Sequence, residues 1–138
     1  MKKETIKLSV PYEKAGLSST DCCPELDLYN LEIHDNIEIK QRPAVIICPG
    51  GGYLYCSPRE AEPVALRYAA AGFHAFILRY SVGWDAGDFA PLKEVSWVIG
   101  YIREHAEEWN IDPDKIATCG FSAGGHLAAS LGALWHLP

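Results

Sequence analysis

The rhythm of apolar and polar positions changes at Pro43. Before it the chain alternates: "TIKLSV" at 5–10 and "ELDLYNLEI" at 25–33 send every second side chain to one face, the period of a strand, and "HDN" at 34–36 reads as a turn. After it the apolar runs are nearly continuous. "AVIIC" at 44–48, bounded by Pro43 and Pro49, then "FHAFILRY" at 73–80 and "IATCGF" at 116–121 read as strands buried on both faces. Helical stretches lie between them. Residues 57–72 have Ser57 as N-cap, Pro58 at the first helical position and Gly72 as the stop. A loop rich in Gly, Asp and Trp covers 81–90. From Pro91 to Asn110, Leu92, Val95, Ile99, Ile102, Ala106 and Trp109 recur at spacings of three and four, and predict one helix. "NIDPDK" at 110–115 is a turn, and "AGGHLAASLGALW" at 123–135 a third helix. Two strands followed by β-α-β-α-β-α predict an α/β fold: a mainly parallel sheet with helices on both faces and an antiparallel entry.

Composition narrows the class. A chain of 138 residues, 49% of them hydrophobic, is long enough for one domain with a real core and too short for two ordinary ones. The net charge of −6, with no run of Lys or Arg, argues against nucleic acid and anionic membranes as partners. No apolar run approaches the ~20 residues of a membrane span, and "MKKETIKLSVPYEK" lacks the apolar core of a signal peptide, so a cytoplasmic location is expected. The five cysteines (22, 23, 48, 56 and 119) show no CxxC spacing. Cys48 and Cys119 lie in apolar runs as small core residues, and the adjacent Cys22 and Cys23 read as reduced thiols rather than a metal or redox pair. No metal site and no cofactor are expected.

The chemistry concentrates in two glycine clusters. In "GFSAG", 120–124, Ser122 falls at the junction of a strand and a helix. The chain must turn sharply there, side chains two positions either side of the serine would collide, and Gly120 and Gly124 leave that space empty. The hydroxyl then stands above the sheet's carboxyl edge, with the Ala123 N–H at the helix N-terminus beside it. "CPGGGY", 48–53, follows the first parallel strand and so lies at the same edge. Its unshielded N–H groups can point at an anion, but it lacks the Lys-Ser/Thr of a P-loop and the spacing of G-x-G-x-x-G. Paired with an exposed serine, it reads better as an oxyanion hole than as a phosphate cradle.

With "NIDPDKIA" leading into the serine, these motifs resemble the N-terminal half of an α/β-hydrolase, nearest to hormone-sensitive-lipase-like and acetyl-xylan-esterase-like carboxylesterases. The similarity runs from about residue 25 to 136. The family's usual H-G-G-G is here Pro49-Gly50-Gly51-Gly52. The resemblance implies Ser122 as nucleophile and the N–H groups of Gly51, Gly52 and Ala123 as the oxyanion hole. It implies a small ester, plausibly of an acetylated carbohydrate, as substrate, and a strand order of 1-2-4-3-5. Two other readings stand beside it: a serine peptidase of the prolyl-oligopeptidase type, which shares G-x-S-x-G-G, and a non-catalytic interaction module.

The sequence departs from the family after Ser122. The triad runs Ser…Asp/Glu…His, yet the sixteen residues that follow hold no acid. His126 and His136 follow the serine on one helix; His126 is expected to face inward packing. His34, His74 and His105 read as structural or solvated, Asp85 and Asp88 as solvated loop acids, and Tyr53 and Tyr55 as pocket or core aromatics. The expectation is a single, incomplete α/β-hydrolase domain over residues 1–138, truncated after the nucleophile helix and inactive alone. Its fifth strand would be an exposed apolar edge that self-associates or needs a missing C-terminal half.

Overall fold

The computed structural model describes residues 2–10, 24–31, 41–87 and 89–133. Cys22, Cys23, His34, Asp88 and His136 lie outside them, as does the side chain of Asp85. Five strands form one mixed sheet: β1 (Lys2–Lys7), β2 (Glu25–Asn30), β3 (Arg42–Cys48), β4 (His74–Arg79) and β5 (Ile111–Gly120), in the order β1-β2-β4-β3-β5. β1 and β2 are antiparallel, β2 is antiparallel to β4, and β3 runs parallel to both β4 and β5. The sheet carries the expected order and the expected antiparallel entry.

The unbroken apolar run of β3 has its reason in the two cores. Ala44, Ile46 and Cys48 face one side, packed with Leu26, Leu28, Phe76 and Leu78 against Val95, Val98 and Ile102 of α2 (Ala90–Glu104) and Leu127 of α4 (Ala123–Ala133). Val45 and Ile47 face the other, with Tyr29, Ala75 and Ile77 against Ala65 of α1 (Glu62–Ala70). A strand with helices on both faces has no position left for a polar side chain.

Three expectations need correction. The stretch 57–72 is not one helix: Pro58–Glu60 is a 3₁₀ turn, the chain breaks at Ala61, and α1 starts at Glu62 with Pro63 in its first turn. A second proline cannot sit inside a helix, where it lacks the N–H and clashes with the preceding turn, so the helix restarts at it. The helix from 91 to 110 likewise ends at Glu104, and a separate turn, α3 (Ala106–Trp109), follows His105. Its buried face is Pro91, Glu94, Val95, Val98 and Ile102, with Leu92 and Ile99 only half-buried. Finally, β5 reaches back through Ile111 rather than starting at Ile116, and it is not buried on both faces. Its residues 116 and 118–120 are half-buried and Ala117 is exposed, because β3 alone pairs with it among the described residues.

Candidate active site

β5 ends at Gly120, and the ladder continues one residue further through Phe121, whose N–H donates to the Cys48 carbonyl at 3.1 Å. Ser122 then takes a left-handed backbone, φ +52°, and α4 begins at Ala123. For a residue with a β-carbon this conformation costs on the order of 1–3 kcal/mol, which the surrounding packing must hold in place. The packing is backbone on backbone. A β-carbon on Gly120 would stand 2.1 Å from the Gly124 carbonyl oxygen, and one on Gly124 would stand 1.9 Å from that of Cys48. Ser122 is exposed, and its carbonyl accepts from the His126 N–H at 2.9 Å in the first turn of the helix.

The loop after β3 backs onto this elbow. A β-carbon on Gly50 would meet the Phe121 carbonyl oxygen at 2.7 Å and the Ser122 β-carbon at 3.1 Å. The loop turns through Gly51 at φ +142°, Gly52 at +65° and Tyr53 at +62°, closed by Leu54 N–H to Gly51 O at 3.0 Å and Ser57 N–H to Gly50 O at 2.8 Å. Among the described residues, nothing accepts from the N–H groups of Gly51, Gly52 or Ala123. Three unengaged backbone donors thus lie on the loop and helix start that flank an exposed hydroxyl, an arrangement able to receive negative charge.

Tyr53 joins the neighbouring elements. Its carbonyl accepts from Gly83 N–H at 2.6 Å, its ring packs edge-on against Tyr80 at 5.8 Å, and its hydroxyl lies 2.7 Å from Nδ1 of His126. The Tyr80 hydroxyl donates to the Pro49 carbonyl in the same loop, and burial raises the phenols of both tyrosines. His126 is therefore not an inward packing residue: it is exposed in the first turn of α4, four residues after Ser122 in the chain.

The other histidines are elsewhere. His74 pairs with Ala44 at the amino end of the parallel strands, four residues and about 13 Å from Cys48 at the carboxyl end. It is buried, accepts from Leu31 N–H at Nδ1, and burial, then the charge of Arg42, lower its pKa to about 4. His105 packs against the rings of both Tyr101 and Trp109, its Nδ1 donating to the Tyr101 carbonyl. Trp109 is followed by Asn110, whose carbonyl meets Arg42 N–H at the start of β3, so His105 belongs to that distant end. The expected core role of Cys48 holds, since it is fully buried in the α2-side core, and that burial pushes its thiol up to about 12; Cys119 is half-buried beside α1.

Two acids emerged only from the structure. Glu60 lies beside the glycine loop, with Oε1 3.0 Å from where a Gly50 β-carbon would be. Glu94 is fully buried and accepts from both the N–H and the hydroxyl of Ser81, just past β4. Its position on the face shared by Pro91, Val95 and Val98 was the available signal. Among the described residues no group of three or more His, Cys, Asp or Glu side chains can hold a metal, and no helix is long and apolar enough to cross a membrane.

This sheet, with a serine elbow after β5 and a glycine loop after β3, is that of an α/β-hydrolase. It superposes on MGS-M1, an α/β-hydrolase enzyme from a Medee basin deep-sea metagenome library, with a TM-score of 0.78 and 40% identity, over 94% of this chain and 50% of that one. With the carboxylesterase Cest-2923 of Lactobacillus plantarum WCFS1 the TM-score is 0.85 and the identity 30%, over 100% of this chain and 48% of that one. An acetylxylan esterase of Xylanibacter ruminicola is 30% identical over 93 residues, 66% of this chain and 19% of that protein. The chain belongs to the BD-FAE family, which it matches over residues 26–136. It spans half or less of the length of these relatives.

Proposed function

We propose that this chain carries the nucleophile half of a serine carboxylesterase for small acyl esters, acetylated carbohydrates among them. The Ser122 hydroxyl attacks the ester carbonyl as a base takes its proton. The N–H groups of Gly51, Gly52 and Ala123 receive the resulting oxyanion, the alcohol leaves with a proton, and water releases the acid from the acyl-enzyme. The observation that carries this reading is the left-handed Ser122 at a strand–helix junction with a glycine loop packed against its β-carbon. The esterase names of its relatives support the substrate class.

Among the described residues none of the histidines is placed as the base for Ser122. His74 and His105 are at the wrong end of the sheet, and Nδ1 of His126 is engaged by Tyr53. On this reading the triad His and carboxylate come from a C-terminal half or from a partner subunit, and the chain alone should turn over little or no ester. Incubation of the purified chain with a fluorophosphonate probe, with acetate-ester hydrolysis followed in parallel, tests this. Neither labelling nor turnover is expected from the chain alone. In a form supplying the missing groups, labelling at Ser122 and its loss in Ser122→Ala are expected; labelling elsewhere would refute the assignment.

A further inference from the structure

Given Ser122 as the point of ester cleavage, we infer that Tyr53 and His126 together form a hydroxyl-reading pair for the alcohol side of the substrate, selecting polyol over alkyl leaving groups. The two side chains come from separate elements that both border Ser122, and they meet at 2.7 Å between the Tyr53 hydroxyl and His126 Nδ1. Among the described residues neither the hydroxyl nor the imidazole has a further hydrogen-bond partner. The neutral pair therefore presents one donor and one acceptor in either tautomer. If Tyr53 donates to Nδ1, Nε2–H is the free donor and the phenol oxygen the free acceptor. If Nδ1–H donates instead, the phenol O–H and the bare Nε2 exchange those roles. A sugar hydroxyl, or two adjacent ones, satisfies both; an alkyl chain satisfies neither and leaves them unpaired.

The surroundings agree. Tyr53 holds its left-handed backbone at φ +62°, and its carbonyl is fixed by Gly83. Leu54 and Tyr55, the next residues of the loop, are 74% and 56% exposed and give the apolar C–H face of a sugar ring something to lie on.

The test reads binding without turnover, so a failure of the esterase reading at Ser122 is seen separately, in the probe experiment. The 138-residue chain with isotope-labelled His and Tyr is titrated with a methyl pentoside and, at equal concentration, with butan-1-ol. Saturable shifts of the His126 and Tyr53 resonances are expected with the pentoside only. Tyr53→Phe and His126→Phe, checked for retained spectral dispersion, should bind about tenfold more weakly. Equal response to butan-1-ol, no response to the pentoside, or unchanged affinity in both variants would overturn the proposal and leave the pair a purely structural link.

Discussion

Gly124 passes so close to the end of β3 that a β-carbon on it would stand 1.9 Å from the carbonyl oxygen of Cys48. Nothing in that contact is a flexible side chain, so helix and strand would have to part to admit a methyl group. Gly124→Ala should therefore lose about 3 kcal/mol or more in urea unfolding, the upper end of overpacking costs. Gly100→Ala is the control. It lies exposed inside α2 with open space around its β-position, and should gain about 0.5–1 kcal/mol from helix propensity.

The strain at Ser122 has its own signature in stability. At φ +52° glycine is at ease and alanine is not. Ser122→Gly should unfold at higher urea than Ser122→Ala, by about 1 kcal/mol. Equal midpoints would mean that the left-handed turn is not retained in solution.

Acid should weaken the fold through His74. Its folded pKa is lowered to about 4 from the ordinary 6.5, so between those values the unfolded chain binds the extra proton. Stability from this residue is complete above pH 6.5 and falls as the pH drops towards 4, by up to about 3 kcal/mol. Urea midpoints measured from pH 7 to pH 4.5 should show this slope, and His74→Gln should flatten it.

Among the described residues β5 pairs on one side only, with β3, and its other side should make the chain associate. Its half-buried apolar residues and an open backbone edge are a template for another strand. Light scattering at tens of micromolar is expected to give a dimer or larger species; a clean monomer with cooperative unfolding would contradict it.

The sheet was legible because β3 and β4 are short, continuous apolar runs rich in branched residues and bounded by turn signals, and β1 and β2 alternate. The elbow was legible because glycines are required wherever two backbones touch, and Gly120 and Gly124 stand at those contacts. What escaped was decided by tertiary packing. Pro63 divided a helix that otherwise reads as continuous, and Val98 rather than Ile99 turned inward once α2 had settled against β5 and α4. Glu94 looked like any charged helix residue until Ser81 supplied its partners. The place of His126 depended on a loop seventy residues away in the chain, which no local pattern contains.

The position of β3 between β4 and β5 also orders events in time. Its partner β4 returns after thirty residues, Ala44 to His74, whereas β5 arrives after seventy-two, Val45 to Ala117. The longer closure comes at a higher entropic cost and gains contacts only once β3 is already held by β4. The turn at Ser122 cannot form before β5 docks, since Phe121 must first bond to Cys48. The Ser122 corner is then the last part of the molecule to assemble. Pulse-labelled hydrogen exchange during refolding should protect the β3–β4 amides first and Phe121 last.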